Sequence, residues 1–288
     1  MRQLKIIRLT IHKMLRNLHT FVRWGLLAAA TGLVIGGFST LFAASLRFVT
    51  DFRTERPWMI FFLPLAGIFI VFLYGLFQYK NDKGTNMVLS TIHAETELPF
   101  KMAPLIFIST VITHLFGGSA GREGAALQLG GSIGNQLGRW FRLDDRDRRI
   151  LVMCGMSAAF SAIFGTPIAA VVFAMEVVSV GVMYYAALVP CVFASLISFK
   201  VANHMGIGPN VFHLLDVPSF QLLPSIKVIV LAMLCAGLSV LFCIILHSLG
   251  DVYRAKLKNP YVRIVFSAVI IILLTLCLQT DDYMGAGV

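Results

Sequence analysis

Uninterrupted apolar stretches at residues 24–46, 57–77, 102–116, 150–182, 184–201, 226–249 and 264–278 leave this chain few ways to fold. In lipid the backbone N–H and C=O groups of such a stretch find no water, so each stretch has to satisfy them internally. A helix crosses the hydrocarbon core in about 20 residues, and several of these stretches reach that length. They are continuous rather than alternating, which predicts helices and not the strands of a barrel. The chain is 58% hydrophobic and 13% charged, against about one-quarter charged residues in a soluble domain. The expected class is therefore all-α: a polytopic integral membrane protein.

The formal net charge of +10 does not point to a nucleic-acid partner, because the basic residues sit between the apolar stretches and form no soluble face. Arg2, Lys5, Arg8, Lys13, Arg16 and Arg23 precede the first span with no acidic residue among them. The positive-inside rule then places the N-terminus in the cytoplasm of a plasma (bacterial inner) membrane protein. Lys80 and Lys83, the arginines at 139, 142, 146, 148 and 149, and Arg254, Lys256, Lys258 and Arg263 mark three further cytoplasmic loops. Residues 1–23 interleave leucine and isoleucine with the basic residues, as an interfacial amphipathic helix does. The first apolar stretch is too long and too late for a cleavable signal peptide. Five cysteines, at 154, 191, 235, 243 and 277, fall inside apolar stretches without metal-ligand spacing and are expected to be buried packing thiols.

Glycines interrupt the pattern within the membrane. The stretch 102–116 falls short of a full crossing, and Gly117, Gly118 and Gly121 follow it, so broken or re-entrant helices are expected. Gly130, Gly134 and Gly138 then recur at four-residue spacing, a small-residue stripe suited to close helix contact. Phe164-Gly165-Thr166-Pro167 divides a long apolar stretch, with Thr166 at the N-cap position and Pro167 at the first helical position. Three helix starts are thereby expected inside the membrane, at 84–87, 121–124 and 165–167.

The first N–H groups of a helix lack internal partners, and the macrodipole adds about half a positive charge there. A start buried in lipid favours an anion, a carboxylate or cavity water. Glu123 stands at the second of these starts. Ionised, its carboxylate can occupy the anion position; protonated, it can leave it, which couples proton binding to anion entry. The alternative is an ordinary N-terminal glutamate neutralised by Arg122 or satisfying the helix end.

Gly121-Arg122-Glu123-Gly124, Gly-Gly-Ser-Ile-Gly at 130–134, and the stretch Ala158-Ala159-Phe160 through Gly165-Thr166-Pro167-Ile168-Ala169 to Phe173-Ala174-Met175-Glu176 resemble the CLC family of anion channels and proton-coupled anion antiporters. The resemblance implies a CLC-type inverted-repeat architecture, with Glu123 as the gating and proton-coupling glutamate. Gly121, Arg122 and Gly124 would bind the anion, and Thr85, Asn86 and Met87 would line its inner face. Chloride-selective members carry G-S-G-I-P where this chain reads Gly84-Thr85-Asn86-Met87-Val88. That replacement, and Thr113-His114-Leu115-Phe116-Gly117-Gly118-Ser119-Ala120, resemble the fluoride/proton antiporter branch. The family's internal proton-transfer glutamate aligns with Val177.

The resemblance divides the chain into the basic segment 1–23, a first transmembrane repeat over 24–205 and the start of a second over 206–288. Family members continue past that point, so the second repeat is expected to be incomplete. The implied function is transmembrane transport of a small inorganic anion, fluoride/proton antiport first, by a homodimer in the lipid bilayer. A chloride channel or chloride/proton antiporter on the same scaffold, and a non-conducting membrane subunit, are the alternatives. No nucleotide loop, catalytic triad or haem motif is present, so neither an enzyme nor a cofactor is expected. His114 reads either as a pore group or as a packing residue, and Glu176 as a proton relay or the partner of a loop cation. His93, Glu95 and Glu97 match no metal spacing and are expected to be solvated.

Overall fold

The computed structural model describes residues 2–77, 88, 99–177, 183–208, 221–280 and 282–285, with side chains from residue 12 onward. Among the described residues there are nine α-helices and no β-strand. The first three are α1 (Arg2–Thr54), α2 (Leu63–Leu76) and α3 (Met102–Leu115). Next come α4 (Glu123–Trp140), α5 (Asp145–Phe164) and α6 (Pro167–Glu176). The last three are α7 (Leu188–His204), α8 (Leu222–Lys256) and α9 (Pro260–Leu278), and short 3₁₀ turns stand at Pro57–Phe62 and Tyr185–Ala187. Five segments are long and apolar enough to cross a membrane, and α3 and α6 are shorter apolar helices between them.

Helix α5 is the hub, buried along its apolar length from Ile150 to Ile163 and packed against α1, α4, α6 and α7. Glycine lets α4 and α5 approach until their backbones touch. A Cβ at Gly130 would collide with the Gly155 carbonyl oxygen, and one at Gly134 would lie 2.6 Å from that of Leu151. The expected small-residue stripe therefore finds its partner in α5. On the opposite flank Gly32 and Gly36 of α1 press against α7, where a Cβ at Gly32 would lie 2.6 Å from the Ala194 carbonyl oxygen. Serine hydroxyls tie α5 and α7 together: Ser161 donates to the Ser195 carbonyl at 2.9 Å and Ser198 to the Ala158 carbonyl at 2.6 Å. Such bonds between membrane helices contribute about 0.6 kcal/mol each.

One helix runs on further than composition marks, and one expectation changes. Helix α1 runs through the boundary placed at residue 23 without a break, because nothing from Arg2 to Trp24 is glycine or proline. Its 53 residues measure about 80 Å at 1.5 Å each, well beyond a full bilayer. The cysteines also divide: Cys154 and Cys191 are buried with their sulfurs 3.8 Å apart, whereas Cys235, Cys243 and Cys277 are exposed on α8 and α9. Apolar sequence placed all five in a core, but α8 has no buried residue, and α9 buries only Ala268.

Candidate functional site

Helix α3 ends in a glycine turn that leads directly into α4. Gly117 has φ +76°, a left-handed conformation that disfavours any side chain, and the Gly118 N–H bonds back to the Thr113 carbonyl at 2.8 Å. Ser119 forms an isolated parallel bridge with Gly285, and the Ala120 N–H donates to the Gly285 carbonyl at 2.9 Å. The turn before Glu123 is thus clasped by a segment from the far end of the chain.

Arg122 occupies the N-cap of α4 without a side-chain cap, and the Ala126 N–H bonds to the Arg122 carbonyl at 2.9 Å. The N–H groups of the first turn are left to be met from outside the helix. Gly121 makes room for the glutamate to fold back: a Cβ there would lie 2.5 Å from the Glu123 carboxylate oxygen Oε2. Glu123 is exposed on this face, and among the described residues it makes no ion pair. Arg122 turns elsewhere, its guanidinium 5.1 Å from the centre of the Phe164 ring. The proposed neutralisation of Glu123 by Arg122 has no direct contact behind it.

That cation–π contact brings the expected helix start at 165–167 beside the one at 121–124. Phe164 closes α5, Gly165 turns the chain at φ +69°, and α6 opens with Thr166 at the N-cap and Pro167 at its first position, again with no side-chain cap. Phe160 packs on Phe164 and Phe173 with centroids 4.3 and 4.9 Å apart, joining α5 to α6 through aromatic rings. The expected start at 84–87 is not placed, since Thr85, Asn86 and Met87 lie outside the described residues, as do His93, Glu95 and Glu97. Val88, which follows them, is fully buried in the core. Glu176 is exposed at the C-terminal end of α6.

The Glu123 turn is placed relative to the α4–α5 crossing. Gly155 stands midway along α5, touches Gly130, and lies against Ile35 at the middle of the first apolar stretch. Glu123 is seven residues before Gly130, about 10 Å along the helix. Ser119 shares a cavity of about 270 Å³ with Ile271, Leu274 and Thr275 of the apolar helix α9, which sets the turn beside a candidate span.

Other polar residues gather at this site. His114, 2% exposed, is in hydrogen-bond contact with the Ala120 backbone and in electrostatic reach of Arg53, Arg122 and Glu123. Arg53, at the end of α1, is buried next to Gly117 and Gly285. The sequence had singled out His114 but not Arg53, which reads as one more basic flank of a span. Below Gly124, Gln128, Ser132 and Asn135 form a buried polar face on α4, and Gln128 Oε1 and Ser132 Oγ have no hydrogen-bond partner among the described residues. Their i, i+4, i+7 spacing was a legible signal that the glycine stripe overshadowed. Uncapped helix starts, a carboxylate able to fold over one of them, and a buried polar face beneath make an environment for an anion and for protons.

Known proteins share this architecture. The family described as "Voltage gated chloride channel" matches residues 66–288. The chain is 35% identical to the "Chloride/fluoride channel protein" of Pseudomonas syringae pv. tomato over 92% of its own length and 60% of that protein. It is 27% identical to the "H(+)/Cl(-) exchange transporter ClcA" of Cronobacter sakazakii over 68% of its length and 46% of that protein. The crystal structure of a CLC-type fluoride/proton antiporter superposes with a TM-score of 0.86 at 32% identity, covering 92% of this chain and 67% of that one. The fold alone is shared with a slow cyanobacterial Cl⁻/H⁺ antiporter, at a TM-score of 0.72 and 20% identity over 87% of this chain and 63% of that one. The chain thus spans about 60% of the length of the Pseudomonas relative. With its apolar spans, its broken helices and a family match over residues 66–288, this integral membrane protein belongs to the voltage-gated chloride channel, or CLC, family.

Proposed function

We propose that the intact protein moves fluoride across the plasma membrane in exchange for protons, with Glu123 as the proton-linked gate. The observation that carries this reading is the Glu123 carboxylate folded over Gly121 at an uncapped helix start, with no ion-pair partner among the described residues. Ionised, it competes with the anion for the N–H groups of Arg122, Glu123 and Gly124, and Gly121 gives it room. Protonated, it is neutral, releases those groups and admits the anion; when it swings back and loses its proton to the other side, anion and proton have moved in opposite directions. Thr85, Asn86 and Met87 line the inner face of the anion in this reading. Fluoride stands ahead of chloride because Gly84-Thr85-Asn86-Met87-Val88 stands where chloride-selective members carry G-S-G-I-P, and because a fluoride/proton antiporter and a chloride/fluoride channel protein are among the relatives. Residues 24–205 act as the first repeat and 206–288 as the start of the second, the N-terminus faces the cytoplasm, and the working unit is a homodimer. The test is efflux from liposomes holding the intact protein with equal fluoride or chloride gradients and a pH indicator inside. Fluoride efflux with proton movement the opposite way is expected, and chloride flux equal to or above that of fluoride overturns the assignment.

A further inference from the structure

At the other end of the fold, α8 and α9 meet around a hollow of about 400 Å³ lined by Tyr253, Arg254, Arg263, Ser267, Ile264 and Val71. Four cations, Arg254, Lys256, Lys258 and Arg263, crowd the stretch 250–263 against a single carboxylate, Asp251. The junction caps two candidate spans, Leu222–Lys256 and Pro260–Leu278, so it lies where hydrocarbon gives way to headgroups. Basic flanks are ordinary there, but Arg263 is not simply flanking. It is the fourth residue of α9, half-buried, and neither its guanidinium nor that of Arg254 makes an ion pair or hydrogen bond among the described residues. A guanidinium inside a membrane helix calls for an anionic partner, and its planar donors suit phosphate oxygens. Tyr253 and Ser267 add hydroxyl donors from the two walls, while Ile264 and Val71 supply an apolar side that free phosphate has no use for.

We propose that this hollow binds a phosphate group borne by an anionic membrane lipid, with Arg254 and Arg263 on the phosphate and the acyl chains against Ile264 and Val71. The test uses the intact protein in detergent and reads its thermal unfolding midpoint by tryptophan fluorescence. Phosphatidylglycerol, phosphatidylcholine at the same mole fraction, and millimolar inorganic phosphate are added separately. A rise of several degrees with phosphatidylglycerol alone is expected, lost in the Arg254→Gln/Arg263→Gln double variant. The Ser267→Leu variant fills the hollow without changing its charge and is expected to lose the same rise, which keeps the test decisive if the double variant does not fold. An equal rise with phosphatidylcholine, or an undiminished one in either variant, overturns the site; an equal rise with inorganic phosphate overturns the lipid as its source. None of these readings depends on which ion the protein transports.

Discussion

Glu123 and Gly121 work as a pair in which the missing side chain matters as much as the present one. The carboxylate rests where a Gly121 methyl would crowd it, at the uncapped start of α4. Glutamine keeps the shape and the acceptor oxygen of glutamate but cannot take up and release a proton as the acid does. The Glu123→Gln variant is therefore expected to lose proton coupling. Following internal pH during anion efflux from liposomes checks it, and proton movement at the wild-type rate removes Glu123 from the mechanism. This part of the site was legible in the sequence because it is local: four consecutive residues carry the turn, the start and the acid. The direction of Arg122 was not, since Phe164 comes from another helix, and neither was the clasp of Gly285 on Ala120, which joins residues far apart in the sequence.

Among the helices, close approach decides where each glycine is needed. Gly130, Gly134 and Gly138 announce a contact face by their spacing, but only the fold supplies Gly155 as the counterpart of Gly130. A Cβ at Gly130 meets backbone, which cannot rotate out of the way, so Gly130→Ala has to separate α4 from α5 and move the start that carries Glu123. Overpacking of this kind costs about 1–3 kcal/mol. Gly237 of α8 has nothing within 4 Å, and alanine there gains about 1 kcal/mol of helix propensity. Unfolding midpoints of the two variants in detergent are expected to move in opposite directions, down for Gly130→Ala and level or up for Gly237→Ala. A neutral Gly130→Ala contradicts the α4–α5 crossing. The Gly32 and Gly36 contact with α7 carried the same spacing signal as the stripe on α4. The continuity of α1 was hidden for a different reason: a change from basic to apolar composition marks a membrane boundary, not the end of a helix.

For the molecule as a whole, composition and basic loops fixed the membrane class and an expected orientation, and the fold adds which loops share a side. Arg23 donates to the Asp147 carboxylate at 3.0 Å, so the N-terminal basic segment and the loop before α5 face the same compartment. Glu55 lies just beyond the opposite end of α1, and Arg53 beside it packs against Gly117 and Gly285. Helix α9 packs on α2, where a Cβ at Gly67 would meet Ile264 at 2.6 Å. Residues 55 and 146 are therefore expected on opposite sides of the membrane, with residue 146 on the cytoplasmic side by the positive-inside rule. Both are exposed, which makes them suitable reporters. In a background with Cys235, Cys243 and Cys277 changed to serine, a membrane-impermeant maleimide is expected to label Glu55→Cys on intact cells and Arg146→Cys only after permeabilisation. The reverse pattern keeps the fold and inverts the orientation, whereas labelling of both on intact cells contradicts the path of α1 across the bilayer.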